Sequence, residues 1–203
     1  MDNFTQPINY GNTTCPEANS KRDYFPPVLD VCCGTKMMWF DKKDKRTLFH
    51  DIRNCEYEML PYKAYPKGTT IKVCPDVVGD LCNLAFPDNT FSLVVFDPPH
   101  IRNMGKGKRV NSVFAKQYGL LFDNWRSLLA MGFSECFRVL RPGGVLIFKW
   151  SEVEISLKEV LDLTEEKPLF GNRTGKKAKT HWVTFLKPIP QPVRTEAMQM
   201  VIK

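Results

Sequence analysis

The sequence FDPPH, residues 96–100, combines side-chain types that could hold a reactive amine. Each proline fixes its own φ and restricts the residue before it, so this segment predicts a rigid corner. Such a corner would hold the Asp97 carboxylate and the Pro98 carbonyl as two acceptors for the two hydrogens of an exocyclic amino group. If this amine belongs to a nucleic-acid base, the His100 ring could stack on the face of that base. The DPPH corner, residues 97–100, therefore favours methylation of an amine.

Three more aspartates stand where short apolar runs end: Asp30, Asp51 and Asp80. Ligands of open parallel sheets bind beyond the carboxyl ends of the strands, so we expect these acids to converge with Asp97 at one edge. Asp51 lies about 20 residues after the turn that contains Gly34. An acid at this spacing is well placed to accept hydrogen bonds from the hydroxyls of a ribose. The four acids together favour a ligand that carries a nucleoside.

The elements that would position these residues alternate between strand and helix. Apolar runs predict strands that end near the four aspartates and a fifth strand, VLIFKW, while helical spacing predicts a helix over residues 123–140. KMMWFDKK predicts helical turns, and KGTTIKVC predicts an arm of a hairpin. EVEISLKEVLDL predicts another helix, and PLF with HWVTFLK predicts a final pair of strands. We therefore predict an α/β, Rossmann-like fold whose mostly parallel sheet ends in an antiparallel hairpin.

Composition favours one folded domain with irregular ends. The chain has 203 residues, of which 43% are hydrophobic and 25% charged, as in ordinary globular proteins. No stretch approaches the roughly 20 apolar residues that span a bilayer, and the start MDNFTQPINYGNTT resembles no signal peptide. We expect an N-terminal arm over residues 1–25, the domain over 26–187, a C-terminal tail over 188–203, and a cytoplasmic protein that binds no membrane.

The seven cysteines include no pair with the CxxC spacing of zinc ribbons. Free cysteine is among the most buried residue types, so we expect these cysteines to be mostly reduced and buried. No metal site is predicted.

The net charge of +7 is concentrated in two segments. Residues 98–122 include five basic residues and residues 167–195 include seven, and neither segment contains an acid. These positive charges exceed the net charge, so the rest of the chain is net acidic. A localised basic surface favours nucleic acid as the partner. The residues predicted to contact phosphates or substrate are Lys106, Lys108, Arg109, Arg173, Lys176, Lys177 and Lys179.

Together these motifs resemble the class I S-adenosylmethionine-dependent amino-methyltransferases that act on nucleic acid. The resemblance covers residues 28–150 and extends toward Lys187. The DPPH corner and the sequence FGNRTGKKAKTHW are, more narrowly, similar to small phage and bacterial methyltransferases assigned to DNA adenine. The resemblance implies a Rossmann-like class I methyltransferase fold, the cofactor S-adenosyl-L-methionine and the product S-adenosyl-L-homocysteine.

The resemblance also implies roles for individual residues. The catalytic corner would consist of Asp97, Pro98, Pro99 and His100. The implied cofactor contacts are Asp30, Cys32, Cys33, Gly34, Asp51, Asp80, Leu81 and Asp97. The sequence departs from the family pattern at Lys36, which stands where the family has its second glycine. His100 also departs, since it replaces the more common Tyr, Phe or Trp.

The predicted function is methyl transfer to an exocyclic base amino group, with adenine N6 in DNA as the first choice. We expect the catalytic fold to take up most of this length, without a separate target-recognition domain. We therefore expect the basic segments, a partner subunit or the shape of a folded RNA to supply recognition. The alternatives are an RNA methyltransferase that acts on adenine or guanine, and a non-catalytic nucleic-acid-binding module on the same fold.

Overall fold

The structure is a computed structural model that describes residues 25–61, 65–102, 112–173 and 179–190. The strands in chain order are β1 Val28–Asp30, β2 Thr47–Asp51, β3 Cys55–Met59, β4 Thr69–Val73, β5 Val77–Val78, β6 Phe91–Phe96, β7 Leu140–Ser151, β8 Phe170–Arg173 and β9 Thr180–Leu186. The helices are α1 Val113–Tyr118, α2 Trp125–Val139 and α3 Leu157–Leu161.

Within these ranges, seven strands form one sheet with the order β5-β2-β1-β6-β7-β9-β8. The pairs from β5 to β7 are parallel, whereas β9 is antiparallel to both β7 and β8. The chain runs outward from β1 through β2 and β5 on one side, and through β6 and β7 on the other. The strand order therefore reverses between β1 and β6, as in Rossmann-like sheets. The predicted mostly parallel sheet with an antiparallel final hairpin is confirmed.

The core lies between α2 and the central strands. Phe96 on β6, Phe133 on α2 and Phe148 on β7 contact one another, with ring centroids 4.9–5.6 Å apart. All three side chains are almost fully buried, and the α2 residues that meet them recur at helical spacing, as the sequence predicted. This packing holds β6 and β7 side by side and so positions the residues at their carboxyl ends.

Gly132 sets the distance between α2 and the sheet. A Cβ atom at this position would lie 2.5 Å from Cδ1 of Leu81 and 2.9 Å from Cζ of Phe96. Alanine would gain about 1 kcal/mol of helix propensity, but overpacking typically costs about 1–3 kcal/mol. We expect Gly132→Ala to lower the free energy of unfolding by about 1 kcal/mol in urea titrations. Met131→Ala, at a half-exposed position of the same helix, is the control; an unchanged Gly132→Ala protein would contradict the close packing.

The structure differs from the sequence predictions mainly in the helices. Residues 36–43 form turns, so the helix predicted there is wrong. Oδ1 of Asp41 accepts a hydrogen bond from the Lys43 amide, and Oδ1 of Asp44 accepts one from the Arg46 amide. Such local side-chain acceptors compete with the helical ladder. Conversely, α1 was not predicted; it begins after Ser112, whose hydroxyl accepts a hydrogen bond from the Ala115 amide.

Five described cysteines are free thiols: Cys32, Cys33, Cys55, Cys82 and Cys136. Cys74 is disulfide-bonded and is an exception to the expectation of reduced cysteines. In the described part of the chain, we find no cluster of three or more His, Cys, Asp or Glu side chains that could hold a metal ion. The described helices are all too short or too polar to cross a membrane.

Candidate active site

Two cavities adjoin at the edge of the sheet where the strand order reverses. The first cavity, of about 420 Å³, is lined by the turn after β1, the end of β2, the DPPH corner and residues 117–122. The second cavity, of about 560 Å³, is lined by the DPPH corner, α1 and residues that follow β7. Both cavities share Asp97, His100, Tyr118 and Lys149. The DPPH corner therefore stands between two spaces, each large enough for a small molecule or a base.

The turn after β1 keeps left-handed backbone geometry at two positions. Gly34 has φ +51° and Lys36 has φ +56°. In this left-handed backbone conformation, a lysine has a conformational free energy about 1–2 kcal/mol higher than in a right-handed one, a cost that glycine avoids. The Lys36 ammonium lies 4.0 Å from the centroid of the Phe49 ring, and this cation–π contact offsets part of the cost. Lys36 thus adopts a left-handed backbone conformation, which is the conformation that favours glycine.

Most of the predicted cofactor residues line the first cavity: Cys32, Cys33, Gly34, Asp51, Asp80, Leu81 and Asp97. Asp30 is not among the lining residues, because its side chain is fully buried beneath the turn. Its Oδ2 accepts a 2.6 Å hydrogen bond from Nε1 of Trp39, whereas Oδ1 has no partner in the described part of the chain. Burial raises the pKa of Asp30 to about 7, although the Trp39 hydrogen bond lowers it.

The Asp51 carboxylate, predicted to bind a ribose, already has four donors. Oδ1 accepts from the Arg53 amide and Nε at 2.9 and 3.0 Å, and Oδ2 accepts from the Gly34 amide and Arg53 Nη2 at 2.8 and 3.1 Å. Arg53 also donates from Nη1 to the Lys116 carbonyl at 3.1 Å, which ties β2 to α1. A ligand hydroxyl at Asp51 must therefore share these oxygens with Arg53 or displace its side chain.

At the DPPH corner, Oδ2 of Asp97 accepts a 2.5 Å hydrogen bond from the Lys149 ammonium. Burial raises the pKa of Asp97, and the positive charge of Lys149 opposes this increase. Burial lowers the pKa of His100 below its usual value, so the imidazole is neutral at pH 7. Its ring centroid lies 6.0 Å from that of Tyr118 and 6.3 Å from that of Trp150. Pro98 is buried, and Pro99 lines the first cavity.

Most of the basic residues predicted to contact phosphates lie outside the described residues: Lys106, Lys108, Arg109, Lys176 and Lys177. The Arg173 backbone belongs to β8, but its side chain is also outside the described set. Lys179 is exposed and directly precedes Thr180, which lines the second cavity. Phosphate contact by these residues stays a prediction.

Sequence reasoning missed three residues of the site: Arg53, Tyr118 and Lys149. A signal existed for Lys149, which is a lone charge inside the apolar strand sequence VLIFKW. Arg53 follows a strand-end aspartate by two residues, a spacing that favours a local ion pair. Tyr118 gave no comparable signal, because its place beside His100 depends on how α1 packs across the sheet edge.

No protein-family model matches the chain, and no curated protein matches it significantly. Among solved structures, it is similar to the PH0226 protein from Pyrococcus horikoshii OT3, with 18% identity, a TM-score of 0.48, and coverage of 80% of this chain and 81% of that chain. A SAM-dependent methyltransferase from Methanosarcina mazei has 13% identity, a TM-score of 0.44 and coverages of 80% and 92%. The N-methyltransferase NodS from Bradyrhizobium japonicum WM9 has 10% identity, a TM-score of 0.46 and coverages of 80% and 85%. Similarity at this level identifies neither an activity nor a substrate.

Proposed function

We propose that the chain is a methyltransferase that uses S-adenosyl-L-methionine to methylate an exocyclic amino group of a nucleic-acid base, with adenine N6 in DNA as the leading substrate. The observation that carries this proposal is the position of the DPPH corner between two adjoining cavities. One cavity can take the methyl donor and the other the acceptor base, so that the two reactants meet at Asp97 and His100. Positioning of this kind supplies much of the rate of a bimolecular reaction.

The first cavity suits S-adenosylmethionine in place and in chemistry. It lies at the switch point of the sheet, beside the left-handed turn at Gly34. The exposed Asp80 offers a carboxylate for hydroxyl or amino groups, and Asp51 can accept from a hydroxyl that shares its oxygens with Arg53. Leu81 and Met38 offer apolar walls for an adenine ring. When bound, this cofactor supplies a methyl group on a sulfonium sulfur that departs as a neutral thioether, leaving S-adenosyl-L-homocysteine.

The DPPH corner can hold the acceptor amine. Oδ1 of Asp97 and the Pro98 carbonyl would accept its two hydrogens, which directs the nitrogen lone pair toward the first cavity. The lone pair forms the new N–C bond, and the proton that the methylated nitrogen must lose passes to the Asp97 carboxylate. The neutral His100 ring stacks on the base and helps to exclude water from the reacting atoms.

The second cavity supports a base as the acceptor because aromatic rings lead into it. Phe114 and Tyr118, one turn apart on α1, have nearly parallel rings with centroids 6.4 Å apart, and Tyr118 is next to His100. The Phe114 side chain is 61% exposed although it lines the cavity. Exposed flat rings of this kind stack on unpaired bases in proteins that bind single strands. We therefore infer that the target base is unpaired or rotated out of its duplex when it reacts.

The experiment that tests this proposal is methyl transfer from labelled S-adenosylmethionine to duplex DNA, single-stranded DNA and total RNA in parallel. The products are digested to nucleosides and identified by mass. We expect N6-methyladenine in DNA. Methylated adenine or guanine in RNA alone would keep the chemistry and change the substrate. Cofactor binding without label in any nucleic acid would contradict the proposal and favour the non-catalytic module.

A further inference from the structure

Strand register brings Lys149 beside Asp97. Phe96 on β6 and Phe148 on β7 are paired in register, so the residues that follow them, Asp97 and Lys149, are neighbours across the two strands. Both phenylalanines face the core, and alternation along β7 directs Lys149 toward the cavities instead. Nζ of Lys149 lies 2.5 Å from Oδ2 of Asp97, and the exposed fractions of the two side chains are 22% for Lys149 and 15% for Asp97.

The next strand limits where the Lys149 ammonium can lie. Lys149 pairs with Trp182 on β9, and its Nζ lies 5.8 Å from the centroid of the Trp182 ring. The ammonium therefore pairs directly with the Asp97 carboxylate and lies near the face of the Trp182 ring. In the described part of the chain, Oδ2 of Asp97 accepts the hydrogen bond from Lys149, and Asp97 lines both cavities.

We propose that Lys149 is a positioning residue for the acceptor amine: it binds Oδ2 of Asp97 so that Oδ1 receives the amine, and its charge keeps Asp97 ionised inside the site. The part of this proposal that concerns the amine rests on the proposed function. The part that concerns the ionisation of Asp97 does not, because it follows from the ion pair alone.

The charges around Asp97 explain why it needs this partner. Burial favours the neutral acid, and the positive charge and hydrogen bond of Lys149 are the largest effects in the opposite direction. His100, on the same corner, lowers the pKa of Asp97 more weakly. Asp30 on β1 is the nearby acid, and the charge of Asp97 raises the pKa of Asp30. Glu154, after β7, acts on His100. A protonated Asp97 could not accept the amine proton. By favouring the ionised carboxylate, Lys149 therefore keeps the enzyme active at lower pH.

The test compares Lys149→Met and Lys149→Arg with the wild type. The control is Lys158→Met, which removes an exposed lysine–aspartate pair of the same 2.5 Å length on α3. The first readout is the ¹³C titration of the Asp97 carboxyl, assigned by its loss in Asp97→Asn. We expect the pKa of Asp97 to rise by about one unit or more in Lys149→Met, and to stay near the wild-type value in Lys149→Arg and Lys158→Met.

The second readout is the pH profile of kcat for methyl transfer. We expect the acid limb of the profile to move to higher pH in Lys149→Met. At pH values below that limb, kcat should fall about tenfold, and it should recover in alkaline buffer. Lys149→Arg should keep the acid limb of the wild type. A merely structural lysine would lower activity without moving the limb. An unchanged Asp97 titration in Lys149→Met would overturn the proposal. If the wild type methylates no nucleic acid, the proposed function fails, and the carboxyl titration still decides the role of Lys149.

Discussion

Asp97→Asn should abolish measurable methyl transfer in a protein that still folds and binds its cofactor. Asparagine retains one oxygen acceptor at nearly the same size, but it cannot take a proton from the methylated nitrogen, and it loses the charge that pairs with Lys149. A positioned proton acceptor typically contributes about 10²–10⁴-fold to a rate. Because the substitution removes the proton acceptor and also the ion pair that holds this side chain against Lys149, we expect kcat to fall by at least about 10³-fold.

Single-turnover assays with saturating nucleic acid measure this loss, and calorimetric titration of S-adenosylmethionine checks that the first cavity still binds. Asp162→Asn is the matched control, since it also removes the aspartate of a 2.5 Å lysine–aspartate pair, at an exposed position on the far end of α3. We expect the control to keep wild-type activity. An active Asp97→Asn enzyme would mean that another group accepts the amine, and the mechanism would be wrong.

Asp30→Asn should remove a large part of the pH dependence of folding stability. The pKa of Asp30 is about 7 in the folded protein, against 3.8 as its ordinary value. Folding therefore favours the protonated acid, so its stabilising contribution is fully present below about pH 4 and is lost as the pH rises to about 7. The difference between the two pKa values corresponds to about 4 kcal/mol between pH 4 and pH 8.

Urea unfolding at several pH values between 4 and 8 measures this effect. We expect the wild type to lose about 4 kcal/mol more than Asp30→Asn across this range, because asparagine does not titrate while its amide oxygen can still accept the hydrogen bond from Trp39. Asp88→Asn, at an exposed position of the surface pair with Arg138, is the control and should follow the wild-type curve. Parallel stability curves for the wild type and Asp30→Asn would show that Asp30 is ionised in the folded protein.

The parts of the site that sequence patterns predicted share a local cause. Apolar runs that end in an acid predicted β1, β2 and β6, because a buried strand and the polar residue at its end are adjacent in the sequence. The acids at these ends are Asp30, Asp51 and Asp97. The two prolines after Asp97 predicted a rigid corner for the same reason. Failures followed when local preferences competed, as at residues 36–43, where aspartate side chains stabilise turns in place of a helix.

The sequence by itself determined that this protein has a mostly parallel sheet, acids at the ends of its strands and a DPPH corner at one of them. Only the tertiary structure decided how those acids are used: Asp30 is buried outside the cavity, Asp51 is held by Arg53, and Asp97 is paired with Lys149. The pair of Asp97 and Lys149 joins residues 52 positions apart, and it depends on the register between β6 and β7. Register and burial arise from the packing of distant segments, so a local pattern can predict which residues reach the site but not which partners they meet there.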